Sequence, residues 1–156
     1  MFCERPTRFF LTAGAGDASN ALNAFDAALL DAGVGDTNLV KLSSILPPGV
    51  TETKAFPLPK GSFVPLAYAE CVSDQPGQRI SAAVAVGIPV DENEAGLIME
   101  CSGLGDPDIW EQQARYMVIE GMEGVRKRPF KEIKSIAATV VVKSVGAVFA
   151  GVILCP

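Results

Sequence analysis

Apolar positions along this chain fall into two kinds of run. Most are short and nearly unbroken, rich in Val, Ile and Ala, as in strands covered on both faces. "RFFLTAG" (8–14) predicts a first strand, stopped by Gly14 and Gly16. "TNLVKLSS" (37–44) predicts a second. "GSFVPLAYAECVSD" (61–74) and "RISAAVAVGIPV" (79–90) predict two more, joined by a turn at "DQPGQ", and "AGLIMECSG" (95–103) another. In the tail, "SIAATVVVKSVGAVFAGVILCP", Lys143 and Ser144 divide the apolar residues into two final strands.

The other kind of run has helical spacing. "DASNALNAFDAALLDAG" (17–33) predicts a helix over 20–32, with Ser19 as N-cap and Gly33 as stop. "DPDIWEQQARYMVIEGMEGVRKRP" (106–129) predicts a long helix capped by Asp106, with Pro107 in its first turn and Pro129 at its close. Its apolar stripe is Trp110, Ala114, Met117, Val118 and Val125. Two helices and about seven strands fit an α+β fold of two stacked sheets with a helix outside each.

Composition narrows the classes. A chain of 156 residues, 49% hydrophobic, suits one domain with a sizeable core. A net charge of −5 argues against nucleic acid and favours cationic ligands. Cys3, Cys71, Cys101 and Cys155 are scattered, and with no histidine in the chain they make neither a zinc spacing nor a disulfide framework. That predicts reduced thiols in a cytoplasmic protein. Glu4 and Pro6 stand where a signal peptide needs an apolar run, and each half of the tail is shorter than the roughly 20 residues of a membrane helix. No membrane association is therefore expected. The apolar content is high for a monomer and predicts an oligomer.

Several residues raise chemical questions. "TAGAGDASN" is Gly-rich before a helix but matches neither phosphate-binding pattern, so a plain strand-to-helix turn is expected. Asp26 has Leu22, Leu29 and Leu30 as its i−4, i+3 and i+4 neighbours. It is either a carboxylate among leucines, which needs a partner, or a solvated group on the rim of the stripe. Glu100 follows "AGLIM". It is either a carboxyl with a raised pKa in an apolar setting or a strand-end residue facing water. Ser43 and Ser44 close a strand just before Pro47 and Pro48. No GxSxG surrounds them, no histidine can serve as base, and Lys41 lacks the SxxK spacing. From the residues alone the pair is unexplained.

The segments "LNAFDAALLDAGVGDTNLVKLSSILPP", "PKGSFVPLAYAECVSDQPGQRISAAVAVGIP" and "GLIME" resemble the pyruvoyl-dependent arginine decarboxylases through most of the chain. The resemblance implies a four-layer αββα sandwich of two mainly antiparallel sheets flanked by helices. It implies a homotrimer or dimer of trimers with active sites between subunits. It also implies self-cleavage between Ser43 and Ser44 into a β chain, 1–43, and an α chain, 44–156. The cofactor would be a covalent pyruvoyl group derived from Ser44, with no metal and no pyridoxal phosphate. A Schiff base to that group would convert arginine to agmatine and CO2. By the same resemblance Glu100 is the proton donor, Asp26 holds the substrate guanidinium, Leu29 lines the path of its aliphatic stem, and Asn38 supports the cleaved carbonyl. A cationic amino acid is thus the expected substrate.

Asn38 stands six strand steps from Ser44, roughly 20 Å at ~3.3 Å per residue, so either the chain folds back or Asn38 serves a neighbouring subunit's serine pair, and the second is preferred. Cys101 departs from the family pattern where an aromatic is expected, which bears on the pocket floor. Two other readings are carried beside this one: the same chemistry on another amino acid, and an unprocessed trimeric binding protein of the same fold.

Overall fold

A computed structural model describes residues 5–156, so Cys3 and Glu4 lie outside the described residues. Nine strands and two helices follow in order: β1 (Arg8–Ala18), α1 (Ala21–Asp31), β2 (Asn38–Lys41), β3 (Ile45–Leu46), β4 (Thr51–Glu52), β5 (Phe63–Ser73), β6 (Arg79–Pro89), β7 (Gly96–Leu104), α2 (Pro107–Ile119), β8 (Phe130–Val141) and β9 (Val145–Cys155) among the described residues. The first sheet has the order β2-β5-β9-β1-β4 and the second β3-β7-β6-β8. Among the described residues only the pairs β1–β4 and β2–β5 are parallel. This is the expected α+β sandwich, mainly antiparallel, with the two-residue β3 and β4 too short to have left a periodic signal.

The unbroken apolar runs found their place in the sheet interiors. In β6 and β9 nearly every residue is buried, because one face meets the other sheet and the opposite face meets a helix. Between the sheets lie Phe9, Leu46, Ile80, Val84, Val86, Ile98, Val148, Val152 and their neighbours. On the outer face of the first sheet, α1 packs through Ala24 and Ala28 over Leu66, Phe149 and Ile153. On the outer face of the second, α2 packs through Ala114 and Val118 over Ala83, Ala85 and Leu97. Burying a Phe, Leu or Ile side chain stabilises by about 1.5–3 kcal/mol, so these three apolar layers supply the main driving force.

Four local expectations need correction. Gly14 and Gly16 do not stop β1, which runs on to Ala18. Their role is close approach: a Cβ on Gly14 would lie 2.3 Å from the Ala28 carbonyl oxygen, and one on Gly16 2.6 Å from the Ala27 Cβ. Only bare backbone lets α1 settle there. The N-cap of α1 is Asn20, not Ser19, because the Asn20 Oδ1 accepts from the Asn23 N–H at 3.0 Å. Asp106 caps α2 by position without a side-chain capping bond, and its carboxylate pairs instead with the Arg79 Nε at 3.4 Å. Beyond Ile119 the helix widens into a π turn, Glu120–Val125. That turn rotates the stripe, so Met122 is buried and Val125 is 77% exposed.

Candidate active site

Chain connectivity singles out one peptide bond. β2 belongs to the first sheet and β3 to the second, so the chain crosses between sheets within Leu42, Ser43 and Ser44. Both ends of the crossing are anchored. The Leu42 N–H donates to the Leu66 carbonyl at 2.8 Å, and Ile45 and Leu46 pair with Leu97 and Gly96. To make the crossing, Ser44 adopts φ 71°, the left-handed region. For a residue with a Cβ this conformation costs about 1–2 kcal/mol, and such strain persists only where the surroundings enforce it.

Those surroundings hold Ser44 at both of its oxygens. The Ile98 N–H donates to the Ser44 carbonyl at 2.9 Å. The Ser44 hydroxyl lies 2.9 Å from the Glu100 Oε1 and 2.9 Å from its Oε2, donating into the carboxylate. Glu100 sits in the middle of β7 rather than at a strand end, and it pairs with Val84. Directly opposed residues share a face, and Val84 belongs to the layer between the sheets. Glu100 therefore points into the sandwich at its edge, half-buried, and is not the water-facing strand end that was one of its readings.

Burial raises the Glu100 pKa above the ordinary carboxylate value. The Ser44 hydrogen bond and the charge of Lys41 pull it back down. Lys41 itself lies with its Nζ 4.4 Å from the Tyr68 ring centroid. Cys101 points to the other face of β7, where its thiol donates to the Trp110 carbonyl at 3.2 Å, and its own pKa is raised by burial and by Glu100. It therefore does not floor the space around Ser44 in this chain.

Asp26 and Asn38 are not brought to the Ser44–Glu100 pair within one chain. Asp26 lies on the exposed side of α1, outside the first sheet, with Leu22 81% and Leu30 55% exposed beside it and Leu29 half-buried. The solvated reading of Asp26 holds here, although the leucines around it are solvated too. Asn38 begins β2 at the end remote from Ser44, and its Nδ2 donates to the Gly61 carbonyl at 3.0 Å. β2 runs straight beside β5 from Asn38↔Phe63 to Lys41↔Leu66, so the chain does not fold Asn38 back. Nearby, Phe63 is 77% and Val40 43% exposed. Apolar surface thus clusters around both carried-over residues. Two participants at Ser44 escaped sequence reasoning: the Ile98 N–H, a backbone group with no side-chain signal, and Lys41, visible as a lone basic residue but judged only by a spacing it lacks.

A serine strained into the left-handed region, bonded to a partly buried carboxylate and lying at the crossing between two sheets, makes a serine–carboxylate pair in a chain without histidine. The family model for pyruvoyl-dependent arginine decarboxylase matches residues 8–154. Pyruvoyl-dependent arginine decarboxylases from three archaea are close relatives. That of Methanococcus aeolicus is 44% identical over 151 residues, covering 97% of this chain and 91% of the relative. That of Methanocaldococcus jannaschii is 43% identical over 156 residues, covering 98% and 92%. That of Pyrococcus abyssi is 42% identical over 159 residues, covering 100% and 99%. The chain belongs to the pyruvoyl-dependent arginine decarboxylase family. Among the described residues, no helix is long and apolar enough to cross a membrane.

Proposed function

We propose that this chain cuts itself between Ser43 and Ser44 and then decarboxylates arginine to agmatine. One observation carries the reading: in a member of this family, the hydroxyl of the strained Ser44 rests on the Glu100 carboxylate at 2.9 Å. Glu100 is within proton-transfer reach of that hydroxyl. As it takes the proton, the Ser44 Oγ attacks the Ser43 carbonyl carbon. The amide bond breaks, its nitrogen takes up the proton, and an ester joins the Ser44 Oγ to Ser43. The ester then loses the residue 44 α proton to Glu100. The Cβ–Oγ bond breaks, with both electrons leaving on the Ser43 carboxylate. The dehydroalanine that remains takes up water and releases ammonia, giving the pyruvoyl group at the head of residues 44–156.

The residues around Ser44 suit such a group. The Ile98 N–H holds the residue 44 carbonyl in place, and the β3–β7 ladder fixes the chain behind it. A pyruvoyl group at residue 44 would supply a ketone able to take up the substrate amine and the electron pair released with CO2. Glu100 then returns a proton to the substrate carbon. Burial raises its pKa, and consumption of the Ser44 hydroxyl removes a bond that lowers it, so both favour the protonated form in that role. The same carboxyl thus serves as base through maturation and as acid in turnover.

Asp26 and Asn38 act from a neighbouring copy in this proposal. The exposed Leu22, Leu30 and Phe63 around them favour burial against a second chain, which would bring Asp26 to a substrate guanidinium and Asn38 to the Ser43 carbonyl. Leu29 would line the path between. The assembly would be a homotrimer or a dimer of trimers with sites shared between subunits. The test is release of CO2 and agmatine from arginine by the incubated wild-type chain, with lysine and ornithine as rivals and Ser44→Ala as control. Activity retained by Ser44→Ala would contradict the assignment, and faster turnover of lysine would move the substrate.

A further inference from the structure

We propose that Lys41 receives the carboxylate that leaves on Ser43 when the ester breaks, and so speeds that step of maturation. The proposal rests on the self-cleavage reading above and adds to it a leaving-group partner. Lys41 stands two residues before the carbonyl that becomes the carboxylate. In an extended segment the Cα atoms of residues i and i+2 stand about 6.6 Å apart at ~3.3 Å per residue. The arm is extended as far as Leu42, because β2 pairs in register through Lys41↔Leu66 and the Leu42 N–H bonds to the Leu66 carbonyl at 2.8 Å. Leu42 packs toward the layer between the sheets and so anchors the arm one residue before the Ser43 carbonyl. A lysine stem spans that separation.

The amine is held near but uncommitted. Its Nζ lies 4.4 Å from the Tyr68 ring centroid, and Lys41 joins none of the ion pairs among the described residues. Its charge also reaches Glu100, since it lowers that group's pKa. The electrostatic problem it addresses follows from the geometry. The ester is built on the Ser44 Oγ, which starts 2.9 Å from both Glu100 oxygens. When the Cβ–Oγ bond breaks, a second carboxylate forms beside Glu100, held there by a strand that remains paired through Leu42. Like charges at that range oppose the step, and a cation within reach of the leaving oxygen offsets them.

The experiment follows freshly made Lys41→Met, Lys41→Gln and Lys41→Arg chains beside wild type, with aliquots quenched in denaturant and treated with hydroxylamine. An ester has the same mass as the intact amide, but hydroxylamine cuts it to a 1–43 hydroxamate and a 44–156 chain that still begins with serine. Lys41→Met and Lys41→Gln are expected to complete cleavage about ten- to a hundredfold more slowly, the span of one charge-assisted hydrogen bond. They are also expected to accumulate the hydroxylamine-cleavable ester, while Lys41→Arg returns toward wild type with little ester. Lys41 is exposed, and two neutral variants of different shape separate charge from packing. Wild-type rates in both neutral variants, slowing without trapped ester, or an arginine variant as slow as the neutral ones would overturn the role. A wild-type chain that never cleaves would instead refute the underlying reading.

Discussion

Replacing Glu100 with glutamine keeps the shape of the side chain and removes its ability to take a proton. In the structure the Ser44 hydroxyl meets two carboxylate oxygens at 2.9 Å each. The variant leaves one carbonyl acceptor and puts an amide donor in place of the other, so the charge-assisted contact, worth about 1.5–3 kcal/mol, becomes a neutral one of about 0.5–1.5 kcal/mol. That exchange bears on stability, but rate is the sharper readout. A positioned general base contributes roughly 10²–10⁴-fold. Cleavage that takes about one hour in wild type would then take on the order of a hundred hours or longer. The assay is a time course on a denaturing gel, started from chain purified rapidly after synthesis, with circular dichroism to establish that the variant is folded. Cleavage of folded Glu100→Gln within severalfold of wild type would refute the proton-transfer argument, leaving the 2.9 Å contact as a structural tether.

Self-cleavage should accelerate as pH rises through the Glu100 titration, because attack needs the carboxylate; burial places that rise above the range of an ordinary glutamate, and a rate that falls with pH across it would contradict the base assignment. Asp26→Asn should weaken arginine binding by about ten- to a hundredfold through a lost charge-assisted pair of roughly 1.5–3 kcal/mol, with Ser43–Ser44 cleavage unaffected, as read by KM and by gel. Mixed oligomers of unprocessed Asn38→Ala and unprocessed Ser44→Ala, with subunit exchange shown independently, should recover cleavage that neither variant performs well alone; no recovery would return Asn38 to its own chain. Ser44→Gly should be more stable than Ser44→Ala by roughly 0.5–1 kcal/mol in urea unfolding. Alanine retains a left-handed cost of about 1–2 kcal/mol, whereas glycine loses about 0.5–1 kcal/mol through its freer unfolded state. An alanine variant that equals or exceeds the glycine one would argue against strain at residue 44.

The sandwich was legible in the sequence because its strands are buried on both faces. "SAAVAVGIPV" and "VGAVFAGVILC" carry that condition directly, and Lys143–Ser144 mark the turn between the last two strands. Gly14 and Gly16 misled because a glycine that ends a strand and one that admits a helix look alike until the helix is in place. The α2 stripe failed at Val125 because a π turn changes the period that the pattern assumes. At the site, the Ser43–Ser44 pair and Glu100 lie 56 positions apart in the chain when counted from Ser44, and no periodicity links them. Family likeness named both, and the sheet register brought them together. Asp26 and Asn38 remain apart because their proposed work lies between chains, which the residues hint at only through exposed Leu22, Leu30 and Phe63.

Intact mass spectrometry before and after incubation tests the central claim most directly. The 16.4 kDa chain should give way to a fragment of residues 1–43 ending in a free carboxylate and a fragment of residues 44–156 whose first residue carries the mass of a pyruvoyl group in place of serine, while Ser44→Ala stays whole. A wild-type chain that remains at 16.4 kDa after prolonged incubation, or a 44–156 fragment that still begins with serine, would contradict the account.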